Sequence, residues 1–180
     1  MKKRFGIISY NMYCNFTNYG SALQTYALHK VLNNLDEDQI ESIVVDYCPD
    51  VLRDKDVLNP MKNMWDSDEE SRRMCELSLP AIRINSEKFN AFYHTHYKKS
   101  GKKYTSENFE SILDNENLNG FVCGSDTIWC IQEFGGFDDG FYANYEVMKN
   151  SHSISYAASF GDAIFTDADR EILKERLQNF

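Results

Sequence analysis

The stretch "NFTNYGSALQTYAL" (residues 15–28), set just after the apolar run "RFGIISY" (4–10), decides how this chain is read. "RFGIISY" is short, rich in β-formers and preceded by charges, which suits a central strand covered on both faces. From Ser21 onward, Ala22, Leu23, Tyr26, Ala27, Val31 and Leu35 recur at helical spacing, with Gln24, Thr25, His29 and Lys30 between them. That spacing predicts one amphipathic helix. "ESIVVDY" (41–47) is then a second buried strand, closed by Pro49. Strand, helix and strand within about 45 residues make the pattern of a right-handed βαβ unit.

Residues 50–84 lose this periodicity, mix charges, prolines and isolated apolar positions, and read as an excursion with short helical pieces. "INSEKFNAFYHTHYKKS" (84–100) restores a helical pattern through Phe89, Phe92, Tyr93 and Tyr97, with Asn85 or Ser86 as its N-cap. "YTSENFESILDNE" (104–116) offers Thr105 or Ser106 as a cap ahead of Phe109, Ile112 and Leu113. "NGFVCGSD" (119–126) is a short apolar strand ending in Gly-Ser-Asp, and "SISYAASFG" (153–161) is a further β-rich run. Four such strands separated by helical patterns predict an α/β fold, a doubly wound parallel sheet with helices on both faces. In "TDADREILKERLQNF" (166–180), Thr166 or Asp167 caps a helix carrying Ile172, Leu173 and Leu177. A doubly wound domain normally continues such a helix into another strand. The expectation is therefore one domain over 1–180 that forms half of a larger architecture.

Composition limits the partners. With 42% hydrophobic and 14% aromatic residues, 180 residues bury the core of one domain. A formal charge of −9 argues against a nucleic-acid backbone or an anionic membrane surface as main partner, since both attract Lys and Arg, and favours small molecules or proteins. No apolar stretch approaches the roughly 20 residues of a spanning helix. "MKKRFGIISYNMYCN" (1–15) places a polar loop where a signal peptide needs a longer apolar region, so the cytoplasm is the expected location. Five cysteines, Cys14, Cys48, Cys75, Cys123 and Cys130, are odd in number and form no CxxC, which predicts reduced thiols. Cys123 reads as a small core residue, and Cys14 and Cys130 as loop residues. His94 and His96 stand two apart in a helical pattern and so do not share a face, and the adjacent Asp138 and Asp139 lack further ligands; no metal is expected.

Ligands of parallel α/β sheets bind outside the carboxyl ends of the strands. Three loops fall there: "NMYCNFTNYGSA" (11–22), "GSDTIWCIQEFGGFDD" (124–139) and "AASFG" (157–161). In the first, Gly20 takes a positive φ or admits a ligand, Ser21 caps the helix, and the helix start suits an anion or a hydroxyl-rich ligand. The plainer alternative is that Asn18, Gly20 and Ser21 only make the turn and cap. In the second, Asp126 orients or deprotonates a hydroxyl and Trp129 presents a face for sugar stacking; alternatively Asp126 caps a turn and Trp129 fills the core. There is no GxGxxG and no GxxxxGK[ST], so neither a dinucleotide site nor a P-loop is supported.

"NYGSALQTYAL" with the following "VVDY", then "GFVCGSDTIW", then "SISYAASFG", in that order, resemble the N-terminal half of the polysaccharide pyruvyl transferase family. The resemblance spans nearly the whole chain, with Thr127 and Cys130 standing where the family often has Gln and Asn. It implies one Rossmann-like half of a two-domain, GT-B-like architecture, with the C-terminal half outside these residues. It also implies transfer of a pyruvyl group from phosphoenolpyruvate, the donor substrate, to sugar hydroxyls in exopolysaccharide biosynthesis, with no other cofactor. Asp126 would be the acid/base, and Asn18, Gly20, Ser21, Gln24, Ser125 and Trp129 would bind substrate. The expected acceptor is a sugar or a lipid-linked oligosaccharide, the latter placing the protein at the membrane periphery; a homo-oligomer is left open. The rival readings are a GT-B-like glycosyltransferase half, told apart by use of a nucleotide sugar, and a non-catalytic binding module.

Overall fold

Strand β1 (Lys3–Ile8) is buried on both faces, and its alternation sets the layers. Ile7 packs to one side with Leu28, Val44, Tyr97 and Val122; Ile8 packs to the other with Ile43, Val45, Phe121 and Cys123. Both isoleucines are fully buried, as the two-residue period of a central strand requires. The structure, a computed structural model, describes residues 2–10, 17–53, 58 and 68–180. Around β1 lie β2 (Ile40–Tyr47), β3 (Lys99–Tyr104), β4 (Gly120–Cys123) and β5 (His152–Ser155), in the order β3-β2-β1-β4-β5 and all parallel. Helices α1 (Tyr19–Leu35) and α2 (Glu69–His96) cover the Ile7 face. The Ile8 face carries the larger, aromatic core, supplied by Phe109, α3 (Ile112–Glu116), α4 (Ile131–Phe134), α5 (Glu146–Lys149) and α6 (Asp167–Arg176) with the loops between them. This is a Rossmann-like α/β sheet flanked by helices, as the sequence pattern indicates.

Three local expectations need correction. Among the described residues the sheet has five strands: "KSGKKY", whose first two residues fall in the stretch read as helical, forms β3. Its lysines gave no apolar signal because β3 is an edge strand with only Tyr104 buried, and charge on an edge blocks unwanted pairing. The Glu116 carboxylate fixes it by accepting from Gly101 N at 2.9 Å and Tyr104 Oη at 2.9 Å. Second, the helix expected to begin at Asn85 or Ser86 begins at Glu69, capped by Asp68, whose carboxylate accepts from Ser71 N at 2.8 Å. Pro80 lies inside α2 and its first half is mostly exposed, so the sequence carries no apolar stripe there. Third, Thr105 and Ser106 are not helix caps; Ser106 Oγ donates to Asp50 at 2.8 Å, and the chain turns into α3 only after Asn108. The capping box at Thr166 and Asp169 does open α6 where the sequence placed it. Among the described residues no helix is long and apolar enough to cross a membrane.

Gly124, directly after β4, has φ +146, and a Cβ built on it would lie 2.0 Å from Tyr156 O. Gly124→Ala is expected to destabilise the fold by about 3 kcal/mol or more, through strain and a displaced backbone. Gly101→Ala is the control, because its Cβ would meet Glu116 Oε1 at an ordinary 3.6 Å. Urea unfolding of both variants checks this; equal midpoints would remove the claimed close approach.

Candidate active site

The chain winds from β1 outward through β2 to β3 and, in the other direction, through β4 to β5. The order therefore reverses between β1 and β4, and the crevice beyond their carboxyl ends is where open α/β sheets bind ligands. The start of α1 and the loop after β4 both fall at this point.

Asn18, not Ser21, caps α1: its side-chain oxygen accepts from Ser21 N at 3.1 Å. Asn18 takes this place because its extended backbone lets a short side chain fold back over the first turn. Gly20 lies within the helix, not at positive φ, and a Cβ there would come 3.1 Å from that Asn18 oxygen. Ser21 is thereby released from capping. Its hydroxyl, 1% exposed, donates to Asp126 Oδ2 at 2.5 Å. One turn further on, Thr25 Oγ1 donates to Ser21 O at 2.9 Å and lies 2.6 Å from Ser9 Oγ at the end of β1. The Ser9 and Thr25 hydroxyls thus tie the central strand to the Ser21 main chain, while the Ser21 hydroxyl reaches the carboxylate.

Asp126 has φ +84, a left-handed conformation that few residues other than Gly, Asn and Asp adopt readily. Three contacts hold it: the Ser21 hydroxyl, Thr127 N donating to Oδ1 at 2.8 Å, and a parallel bridge to Ala158 in which Ser159 N donates to the Asp126 carbonyl at 2.9 Å. Trp129 N donates to Ser159 O at 3.1 Å. The segments 18–21, 125–129 and 159–161, far apart in sequence, therefore meet in one place, as their positions after strand ends predict. Residues 11–16, with Cys14, lie outside the described residues.

Ser125 is buried and lines, with Gln24, a groove of about 350 Å³ beside α1. Gln24 Nε2 is buried without a hydrogen-bond partner, an amide donor left unspent beside Asp126's loop. Trp129 is a packing residue: it is 9% exposed, stacks on Tyr142, contacts Phe160 and Phe180, and donates through Nε1 to Phe141 O at 3.1 Å. The sugar-stacking face expected of it is taken up by these rings. Glu133, which sequence reasoning did not single out, joins the site by accepting from Tyr10 Oη at 2.5 Å and from Thr127 Oγ1 at 3.1 Å. Only its place in the same loop, seven residues past Asp126, signalled it.

Asp138 and Asp139 serve different partners. Asp138 is half-buried and accepts from Tyr47 Oη at 2.9 Å and from the amides of Gly140 and Phe141 at 3.0 Å, which pins the loop to the end of β2. Burial pushes its carboxyl up to about 6. Asp139 pairs with Arg176 of α6 and accepts from Asn144 at 2.9 Å. Among the described residues no group of three or more His, Cys, Asp or Glu could hold a metal ion. Burial also raises the Cys48 and Cys123 thiols, the first to about 12, so neither is a thiolate nucleophile near neutral pH.

A five-stranded parallel sheet with a carboxylate and hydroxyl cluster at its order reversal defines an α/β domain of the kind that binds small ligands at the switch point. The family is more particular: the family model for polysaccharide pyruvyl transferase matches residues 18–180, and the chain belongs to that family. Comparison with curated proteins and with solved structures returned no match.

The raised Asp138 gives a signed prediction. The folded state holds this proton more tightly than the unfolded chain, whose carboxyl titrates near 3.8, so its contribution to stability is fully present below about pH 4 and is lost as pH rises through about 6. Asp138→Asn keeps the acceptor oxygen and removes the titration. The stability of wild type relative to this variant should fall by up to about 3 kcal/mol between pH 4 and pH 7. Thermal melts across that range check it; parallel pH profiles would refute the assignment.

Proposed function

We propose that this chain is the acceptor-orienting half of an enzyme that moves a pyruvyl group from phosphoenolpyruvate to two hydroxyls of a sugar. Its family makes it a pyruvyl-transferase-type protein acting on polysaccharide. The donor, the catalytic group and the pairing with a facing GT-B-like half are our reading. The observation that carries it is the Asp126 carboxylate, fixed at the switch point by the buried Ser21 hydroxyl at 2.5 Å.

In the reaction proposed, a proton adds to C3 of phosphoenolpyruvate, and one sugar hydroxyl bonds to C2 and gives up its proton. A second hydroxyl then bonds to C2 as the bond from C2 to the phosphate oxygen breaks, its proton passing to the departing phosphate, which releases inorganic phosphate and closes a ketal. Asp126 accepts the proton of an attacking hydroxyl, work that a positioned carboxylate does as a general base. Ser21 holds the carboxylate in register, and the unspent Gln24 amide donates to a substrate oxygen. The loops 11–22, 124–139 and 157–161 hold no Arg or Lys, so the cations that neutralise the phosphate come from the facing half. A lipid-linked acceptor would bring the enzyme to the cytoplasmic face of the membrane.

Two outcomes are expected. In the active enzyme, Asp126→Asn lowers the rate of phosphate release from phosphoenolpyruvate by about 10²–10⁴-fold. Unchanged turnover would remove the role given to Asp126, and turnover with a nucleotide sugar in place of phosphoenolpyruvate would replace the reaction. By calorimetry, residues 1–180 alone bind phosphoenolpyruvate more weakly than a neutral hexoside, because 28 acids against 19 bases set an unfavourable field for a trianion. Tight binding of phosphoenolpyruvate by this chain would place the donor site here.

A further inference from the structure

A second cavity, of about 220 Å³, opens on the same edge of the sheet. Its walls are Asp50 beyond β2, Ser106 beyond β3, and Gly135, Phe137 and Asp139 beyond β4, with Tyr145 closing one side. It neighbours the Asp126 cluster through α4: Glu133 reaches Tyr10 and Thr127, and the next residue, Phe134, lines the cavity and packs on the Tyr10 ring at 5.5 Å. Where the wall passes Gly136, a Cβ would meet nothing within 4 Å.

The chemistry of the lining selects among ligands. Asp50, Asp138 and Asp139 all face this space, and the nearby cations are committed, Arg53 to Asp50 and Glu107 and Arg176 to Asp139. An anion would be repelled. Hydroxyl groups, by contrast, donate strongly to carboxylates, and the Ser106 and Tyr145 hydroxyls and the Phe137 ring add the mixed polar and apolar surface that a sugar ring presents in return. The volume lies below the roughly 300–1,000 Å³ of sites for drug-sized ligands and suits a single ring.

We infer that this cavity is a subsite for one neutral pyranoside ring of the acceptor, holding the sugar beside Asp126. The assignment rests on the transferase reading above for its place in catalysis, though not for the binding itself. Methyl hexopyranosides are the probes, titrated into the ¹⁵N-labelled chain. One ring of about a dozen non-hydrogen atoms binds on the order of millimolar, and the amides of Gly135, Gly136 and Phe137 should shift. Val51, 37% exposed on the cavity rim, is replaced to fill the space: Val51→Trp should weaken hexoside binding at least about tenfold with an unchanged fold by circular dichroism. Shifts confined to other residues, unchanged affinity in folded Val51→Trp, or shifts of these amides with magnesium but not with hexosides would overturn the subsite. If Val51→Trp does not fold, the wild-type shift map decides alone. Asp126→Asn separates the two claims: hexoside binding that survives while turnover is unaffected would remove the catalytic role of Asp126 and leave the subsite standing.

Discussion

Everything in this domain depends on burying β1 from both sides. Two consecutive isoleucines in β1 are fully buried in opposite cores, which places helices on both faces of the central strands. Burying side chains of this size stabilises by about 1.5–3 kcal/mol each. The reversal of strand order between β1 and β4 opens a gap beyond their carboxyl ends. Hydrogen bonds from Ser9 through the Thr25 hydroxyl to the Ser21 main chain, and from the Ser21 hydroxyl to Asp126, tie a carboxylate to that gap.

The sequence revealed the elements that are buried and regular. β1, β2 and β4 announce themselves by apolar runs, and α1 and α6 by spacing and caps, because burial is what selects those residues. β3 and the first half of α2 were illegible for the opposite reason. One is a lysine-rich edge, the other a largely solvated helix with a proline inside it, so neither carries a core-facing pattern. At the site, the sequence placed the three loops together and chose Asp126 and Ser21, yet it gave Ser21 the capping role that Asn18 holds. Capping and ligand-facing hydroxyls look alike in one dimension, and only the φ and ψ of Asn18 separate them. Trp129 was ambiguous between stacking on sugar and filling the core, and the neighbours that settle it, Tyr142 and Phe180, arrive from far along the chain.

The acidic character of the chain fits the division of labour proposed for it. Carboxylates at the strand ends are either partnered by backbone amides and hydroxyls, as at Asp126 and Asp138, or paired with arginine, as at Asp139. Such a surface is suited to orienting hydroxyls and poorly suited to holding phosphate. Donor and acceptor recognition would then be segregated between two surfaces of opposite charge, each selecting against the other's ligand.

The way Asp126 is anchored has an evolutionary reading. Apart from Ser21, its contacts are to main-chain groups: the amide of Thr127 and, in the bridge to Ala158, the amide of Ser159. Main-chain anchors do not care which side chain their residue carries. Side-chain substitutions at positions 127 and 159 can therefore accumulate without moving the carboxylate, whereas Ser21 is the side chain its placement depends on.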